Sequence, residues 1–263
     1  MSSAAIMQGL HAAGEARQRL GIGQDGPVPD LVDLIEQAAG IPISILSLPQ
    51  GIAGAYGNKS GRAFIFVSSS DYPVRRRFTL AHEYGHHCLG HDGVVDPEGD
   101  VFGRPRNPRE VAANSFAANF LAPATAVHNW LTARGKPPVD LELVVRLAVF
   151  FRISAQAARI QLHEVGYLPA AALRASLDRQ IADGDHKQLE RSLGISEELD
   201  TLSVERIPLG GQRLPGRMTR NARTAYQAGL LSAERLAELL DTDAATVMTD
   251  LGPVVTDESF ADY

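Results

Sequence analysis

Residues 82–86 read His-Glu-Tyr-Gly-His. On an α-helix, positions i and i+4 share one face, so His82 and His86 aim two imidazoles at one spot. Glu83 falls beside that spot, where a carboxylate can take a proton from a metal-held water. The pattern demands a helix and points to a metal-dependent hydrolase. The same five letters also occur on ordinary solvated helix faces. The neighbours argue for burial, because Phe78, Leu80, Ala81, Cys88 and Leu89 are apolar. Buried imidazoles and carboxylates are costly unless something satisfies them, and a metal would.

Catalytic zinc takes three protein ligands and keeps a fourth position for water. A third donor must come from elsewhere. The extended form of the motif places Gly three residues and a further ligand six residues after the second His. Here Leu89 and Asp92 hold those positions, and Asp92 is discounted. His87 projects about 100° around the helix from His86. His91 lies past Gly90, near the expected helix end. Both histidines read as polar residues on a helix rim, and Tyr84 reads as a packing residue. The better donor is a carboxylate on the next helix, Arg109 to Pro123, where Glu110 is the only acid. Asn114 lies one turn on, on the same face. Glu110 as ligand with Asn114 supporting the metal shell is one reading. An acid placed in the first helical turn to suit the dipole is the other.

Two longer runs carry a family resemblance. Arg75-Arg76-Arg77-Phe78-Thr79-Leu80-Ala81-His82-Glu83-Tyr84-Gly85-His86, continuing to Leu89-Gly90-His91, resembles the first signature of the ImmA/IrrE metallopeptidases. Glu110 to Pro123 resembles the second, with Ala122 where Met is common. The resemblance spans residues 5–168 at most. It implies His82, His86 and Glu110 as metal ligands and Glu83 as general base. It also implies zinc, with manganese as the alternative, and a narrow protein substrate, typically an XRE-type helix-turn-helix repressor. Cleavage of that repressor would lift repression of stress, mobile-element or phage genes. No repressor domain precedes the core, so the target is expected to be another chain. The competing class is a regulator that binds DNA or a partner and whose metal is structural. A toxin–antitoxin component is a third reading.

Composition suits a cytoplasmic enzyme. The single cysteine, Cys88, excludes an intrachain disulfide framework and reads as a small buried hydrophobe. No apolar run reaches membrane-spanning length, and the first ten residues do not read as a secretion signal. A net charge of −6 argues against broad nucleic-acid binding.

The expected class is α+β: a mainly helical zincin-like core with a small antiparallel sheet. Helix-turn-helix-like and C-terminal helical segments follow it. The divisions are 1–122, 123–168 and 169–263. Helices are expected at 5–20 and 30–39. Ile41 to Leu46 reads as a strand whose start lies at a sheet edge, because Pro42 lacks an amide hydrogen. Residues 53–56 and 63–67 read as a hairpin around 57–61. An edge strand of this sheet could bind an extended peptide. The arginine run 75–77 reads as a solvated face. Asp140 and Ser154 are expected to cap two helices resembling a helix-turn-helix, with Gln156, Arg159, Gln161 and His163 as candidate DNA contacts. Further on, helices are expected near 170–183, 186–193, 219–228 and 232–240, with a short one from Asp243. A Pro/Gly-rich interval, 207–216, interrupts them. Arg206, Arg213, Arg217, Arg220 and Arg223 cluster before an acidic end that includes Asp241, Asp243, Asp250, Asp257, Glu258 and Asp262. That end is expected to serve solubility as a frayed tail, or to fold onto the arginines or across the site.

Overall fold

A computed structural model describes residues 3–103, 105–195, 207 and 211–253. Helix α1 (Ser3–Arg19) buries Ala5, Gly9, Ala12, Ala13 and Ala16. Such small residues let its backbone touch a neighbour: a Cβ on Gly9 would stand 2.1 Å from the carbonyl oxygen of Ala112. Helix α2 (Leu31–Leu34) is capped by Asp30, whose side chain accepts from the Val32 and Asp33 amides. It runs into a π-helical turn, Ile35–Ala39, that Gly40 ends in the left-handed region at φ 69°.

Four strands follow: β1 (Ile43–Leu46), β2 (Ile52–Lys59), β3 (Arg62–Ser68) and β4 (Val94–Pro97), in the order β1-β3-β2-β4. The β2–β3 hairpin pairs Lys59 with Arg62. Its loop is therefore only Ser60-Gly61, at φ 54° and 77°, as the tight right-twisted turn demands. The sheet is mixed rather than antiparallel, because β1 runs parallel to β3. β1 does lie at one edge, but Ile45 exchanges backbone hydrogen bonds with Arg213, which covers that edge. β4 is the opposite edge. It follows the motif helix in the chain yet pairs antiparallel with β2.

The motif helix α3 (Pro73–Cys88) starts with Pro73, whose missing amide hydrogen costs nothing there. Gly90, at φ 67°, turns the chain away after it. Helices α4 (Glu98–Phe102) and α5 (Pro108–Leu121) come next; Asn107 caps α5 and Pro108 opens it. Then α6 (Ala124–Ala133), α7 (Leu141–Phe151), α8 (Ala155–Glu164), α9 (Ala171–Asp183) and α10 (Asp185–Ser192) follow. The expected caps are present: Asp140 accepts from the Leu143 amide and Ser154 from that of Ala157. One apolar cluster runs from Ala13 through Ile43, Leu80, Phe116, Trp130 and Leu147 to Leu177 on α9. A second small cluster joins Ala222, Tyr226, Leu236, Ala237 and Val247. It lies among α11 (Gly216–Gln227), α12 (Ala233–Leu240) and α13 (Ala244–Leu251).

The arginine run departs from its reading as a solvated face. Arg76 and Arg77 are buried. Arg76 donates to the carbonyls of Asp71 and Ile207, and Arg77 to those of Val28 and Pro29. Guanidinium groups have enough donors to gather loop carbonyls that helices and strands leave unused. Among the C-terminal arginines, Arg213 pairs with Glu36 at 2.9 Å. Arg206, Asp257, Glu258, Asp262 and residues 208–210 of the interval lie outside the described residues.

Candidate metal centre

His82 and His86 stand one turn apart on the buried face of α3, with Nε2 atoms 3.0 Å apart. Gly85, between them, lets α5 approach: a Cβ there would meet Phe116 Cδ1 at 2.9 Å. The small residues of α5 then bring Glu110 in, its Oε2 lying 3.3 Å from both Nε2 atoms. A fourth donor comes from β4. Asp96 Oδ2 lies 3.5 Å from His82 Nε2 and 3.4 Å from His86 Nε2.

These four atoms fit a metal ion. They all lie within 4.8 Å of one another. Donors bonded tetrahedrally at zinc distances are about 3.4 Å apart, and five of the separations here run from 3.0 to 3.5 Å. Asp96 Oδ2 and Glu110 Oε2 are buried without a hydrogen-bond donor, which is expensive unless a cation meets them.

The outer nitrogens of both histidines are also held. His82 Nδ1 lies 2.9 Å from Asn114 Oδ1, and Asn114 Nδ2 donates to the carbonyl of Asp100. The second bond fixes the amide so that its oxygen faces His82. His82 then carries its proton on Nδ1 and leaves Nε2 free for a metal. His86 Nδ1 lies 2.8 Å from His91 Nδ1. His91 is therefore not a rim residue. Burial, then the charges of His86 and Arg109, bring its pKa to about 4, so it is a neutral acceptor at pH 7.

Glu83 lies beneath β2 beside Asp96, with both carboxylate oxygens buried and without a hydrogen-bond partner. Burial first, and then the Asp96 and Glu110 carboxylates, raise its pKa well above the usual range. Burial opposes ionisation of Glu110, but His82 and His86 outweigh it and hold its carboxyl well below that range. Burial likewise pulls the His82 pKa down, and Asp96 and Glu110 raise it overall. Tyr84 packs its ring against Phe116 and Phe120, with centroids 5.8 and 5.7 Å away.

The structure thus brings His82, His86, Glu110, Glu83 and Asn114 together. Sequence reasoning missed Asp96. The one trace of it is a lone acid in the apolar run Val94-Val95-Asp96-Pro97. The candidate DNA contacts of α8 are engaged within the chain. Asp178 on α9 accepts from Gln156 and pairs with Arg159 at 2.7 Å. Gln161 is buried against the Ala118 carbonyl, and His163 lies 3.2 Å from that of Leu168.

A buried histidine pair and a neighbouring glutamate on one helix, a mixed sheet beside it and a carboxylate from the next helix make up a candidate metal centre. Residues 36–163 match the family described as IrrE N-terminal-like domain. The radiation response metalloprotease IrrE of Deinococcus deserti is 31% identical over 180 residues, covering 66% of this chain and 62% of the relative. Residues 36–163 thus resemble an IrrE N-terminal-like domain, and the chain is similar to that metalloprotease. It spans about three fifths of the length of that curated relative.

Proposed function

We propose that this chain is a metal-dependent endopeptidase that cuts a single regulatory protein, an XRE-type helix-turn-helix repressor, in the cytoplasm. His82, His86 and Glu110 hold the ion, which is zinc, or manganese as the alternative. The observation that carries the reading is Glu83, a buried carboxylate beside the donors that a purely structural site would not need. When bound, the ion polarises the scissile carbonyl and acidifies a water. Glu83 takes a proton from the attacking water and gives one to the leaving amine. Asn114 and His91 keep the two imidazoles oriented throughout. The Deinococcus deserti relative is a radiation response metalloprotease, which supports a stress role; cleavage of the repressor would lift repression. Among the described residues no helix is long and apolar enough to cross a membrane.

One observation favours a second reading. Four protein donors form a closed shell, as in structural zinc sites, which suits a regulator that binds a partner without cutting it. The experiment that separates the two incubates the full chain, loaded with zinc or manganese, with the repressor-like protein encoded nearest its gene. Glu83→Gln runs alongside. A discrete cut by wild type only, with metal binding kept in the variant, supports the peptidase. Full biological activity in Glu83→Gln would overturn it.

A further inference from the structure

Peptide hydrolysis needs a water and a carbonyl at the metal, yet this centre is sealed. His82, Glu83 and His86 are 0% exposed, Asp96 1% and Glu110 3%. Three of the four metal-facing groups come from two helices packed through glycine and small residues, so they cannot easily part. Asp96 differs. It sits on β4, an edge strand of four residues paired on one side only. That pairing is interrupted by a bulge between Ile52 and Gly54. The following helix, α4, continues the same stretch of chain.

Helix α4 is held by buried Val101, by Phe102 against Phe78 and by a few polar ties. The Arg75 guanidinium stacks 4.0 Å over the Phe102 ring and lies 3.9 Å from Glu98. The Asp100 carbonyl accepts from Asn114. The Glu98 amide donates to the Gly51 carbonyl at 2.9 Å. Val95, next to Asp96, is largely exposed on the outer side.

We propose that Asp96 is a fourth protein ligand that closes the metal centre, and that residues 94–102 form a lid. The chain as folded then rests closed, and substrate must displace the lid before it is cut. Lifting β4 withdraws one carboxylate oxygen, opens the position that water or carbonyl must take, and uncovers Glu83 at the same time. This inference rests on the reading of the four donors as a metal site.

Cobalt(II) tests it, because its visible absorption is intense in four-coordinate sites and weak when water adds. Azide is the probe for an open position. The wild-type chain is expected to give an intense spectrum that azide leaves unchanged. Asp96→Ala should give a shifted spectrum, respond to azide and bind zinc at least about tenfold more weakly. Asp96→Asn, which keeps the side-chain volume, should move in the same direction if the alanine variant fails to fold. Arg75→Ala keeps every donor, so its spectrum should match wild type while excess chelator strips its zinc faster. Two outcomes would overturn the lid without touching the metal site. One is azide perturbing wild type as readily as Asp96→Ala. The other is zinc affinity lost in His86→Ala but unchanged in both Asp96 variants. Zinc and cobalt bound no better by wild type than by His86→Ala would remove the metal-site reading and the lid together.

Discussion

Gly54 on β2 presses directly on Glu83 of α3. A Cβ on Gly54 would stand 2.4 Å from Glu83 Oε1 and 2.7 Å from Thr79 Cγ2. The bare backbone of β2 therefore sets where the Glu83 carboxylate lies. Gly54→Ala is expected to push that carboxylate aside without touching a metal donor. Displacements of about 1 Å at a reacting group cost on the order of 100-fold in rate. Cleavage should fall by that order while zinc affinity holds. Equal loss of both would mean that the strand, rather than the base, had been disturbed.

Asn114 is predicted to matter to the metal although it does not face it. Asn114→Ala removes the acceptor behind His82 and should weaken zinc binding by roughly 10- to 100-fold. Asn114→Asp keeps an acceptor for His82 Nδ1 but loses the bond to the Asp100 carbonyl. It should recover part of the affinity. Competition against a zinc-chelating dye reads both. Unchanged affinity in Asn114→Ala would remove its orienting role.

The α1–α5 seam gives a stability prediction. At Gly9 a methyl group would meet the Ala112 carbonyl oxygen at 2.1 Å and the Phe116 amide nitrogen at 2.8 Å. Backbone cannot step aside as a side-chain tip can. Gly9→Ala should cost roughly 3 kcal/mol, on the order of 5–10 °C in Tm. A melt within a degree of wild type would show that α1 does not dock this closely.

Glu36 ties the segment around Arg213 to the sheet. Its carboxylate accepts from Arg213, from the Ile43 amide and from the Gly216 amide. Burial works to raise its pKa, but these donors outweigh burial and lower it. A depressed carboxyl stabilises the fold above its unfolded pKa of about 4.3, and that contribution is lost as pH falls through the folded value. Glu36→Gln should therefore cost about 2 kcal/mol near pH 7. The gap from wild type should persist down to about pH 5 and close below about pH 4. Urea unfolding at a series of pH values reads it. A gap that stays constant into strong acid would place the stabilisation elsewhere.

The helix with His82, Glu83 and His86 was legible because a spacing of four and an apolar surround are local facts. Glu110 and Asn114 were legible for the same reason, as one carboxylate and one amide on one face of one helix. Asp96 was not. Its role depends on β4 pairing with β2, some 40 residues earlier by register, and a four-residue strand has no periodicity to read. The parallel β1–β3 pair was hidden likewise, since a hairpin advertises itself locally and a parallel partner does not. Arg76 and Arg77 looked solvated because their partners are carbonyls of distant loops, which no sequence pattern marks. The contacts of α8 looked free because Asp178 belongs to a helix that comes later.

The small-residue face of α1 has a consequence for how the chain is made. Helix α1 is complete about 90 residues before α5 begins, a wait of roughly 5–20 s at ordinary translation rates. A leucine-rich face exposed that long would invite aggregation. A stripe of alanine and glycine offers little grease to a wrong partner and adheres only where another backbone can be touched along its length. The seam that seats α1 on α5 is thus nearly inert in the nascent chain, and it becomes adhesive only once its proper partner has emerged.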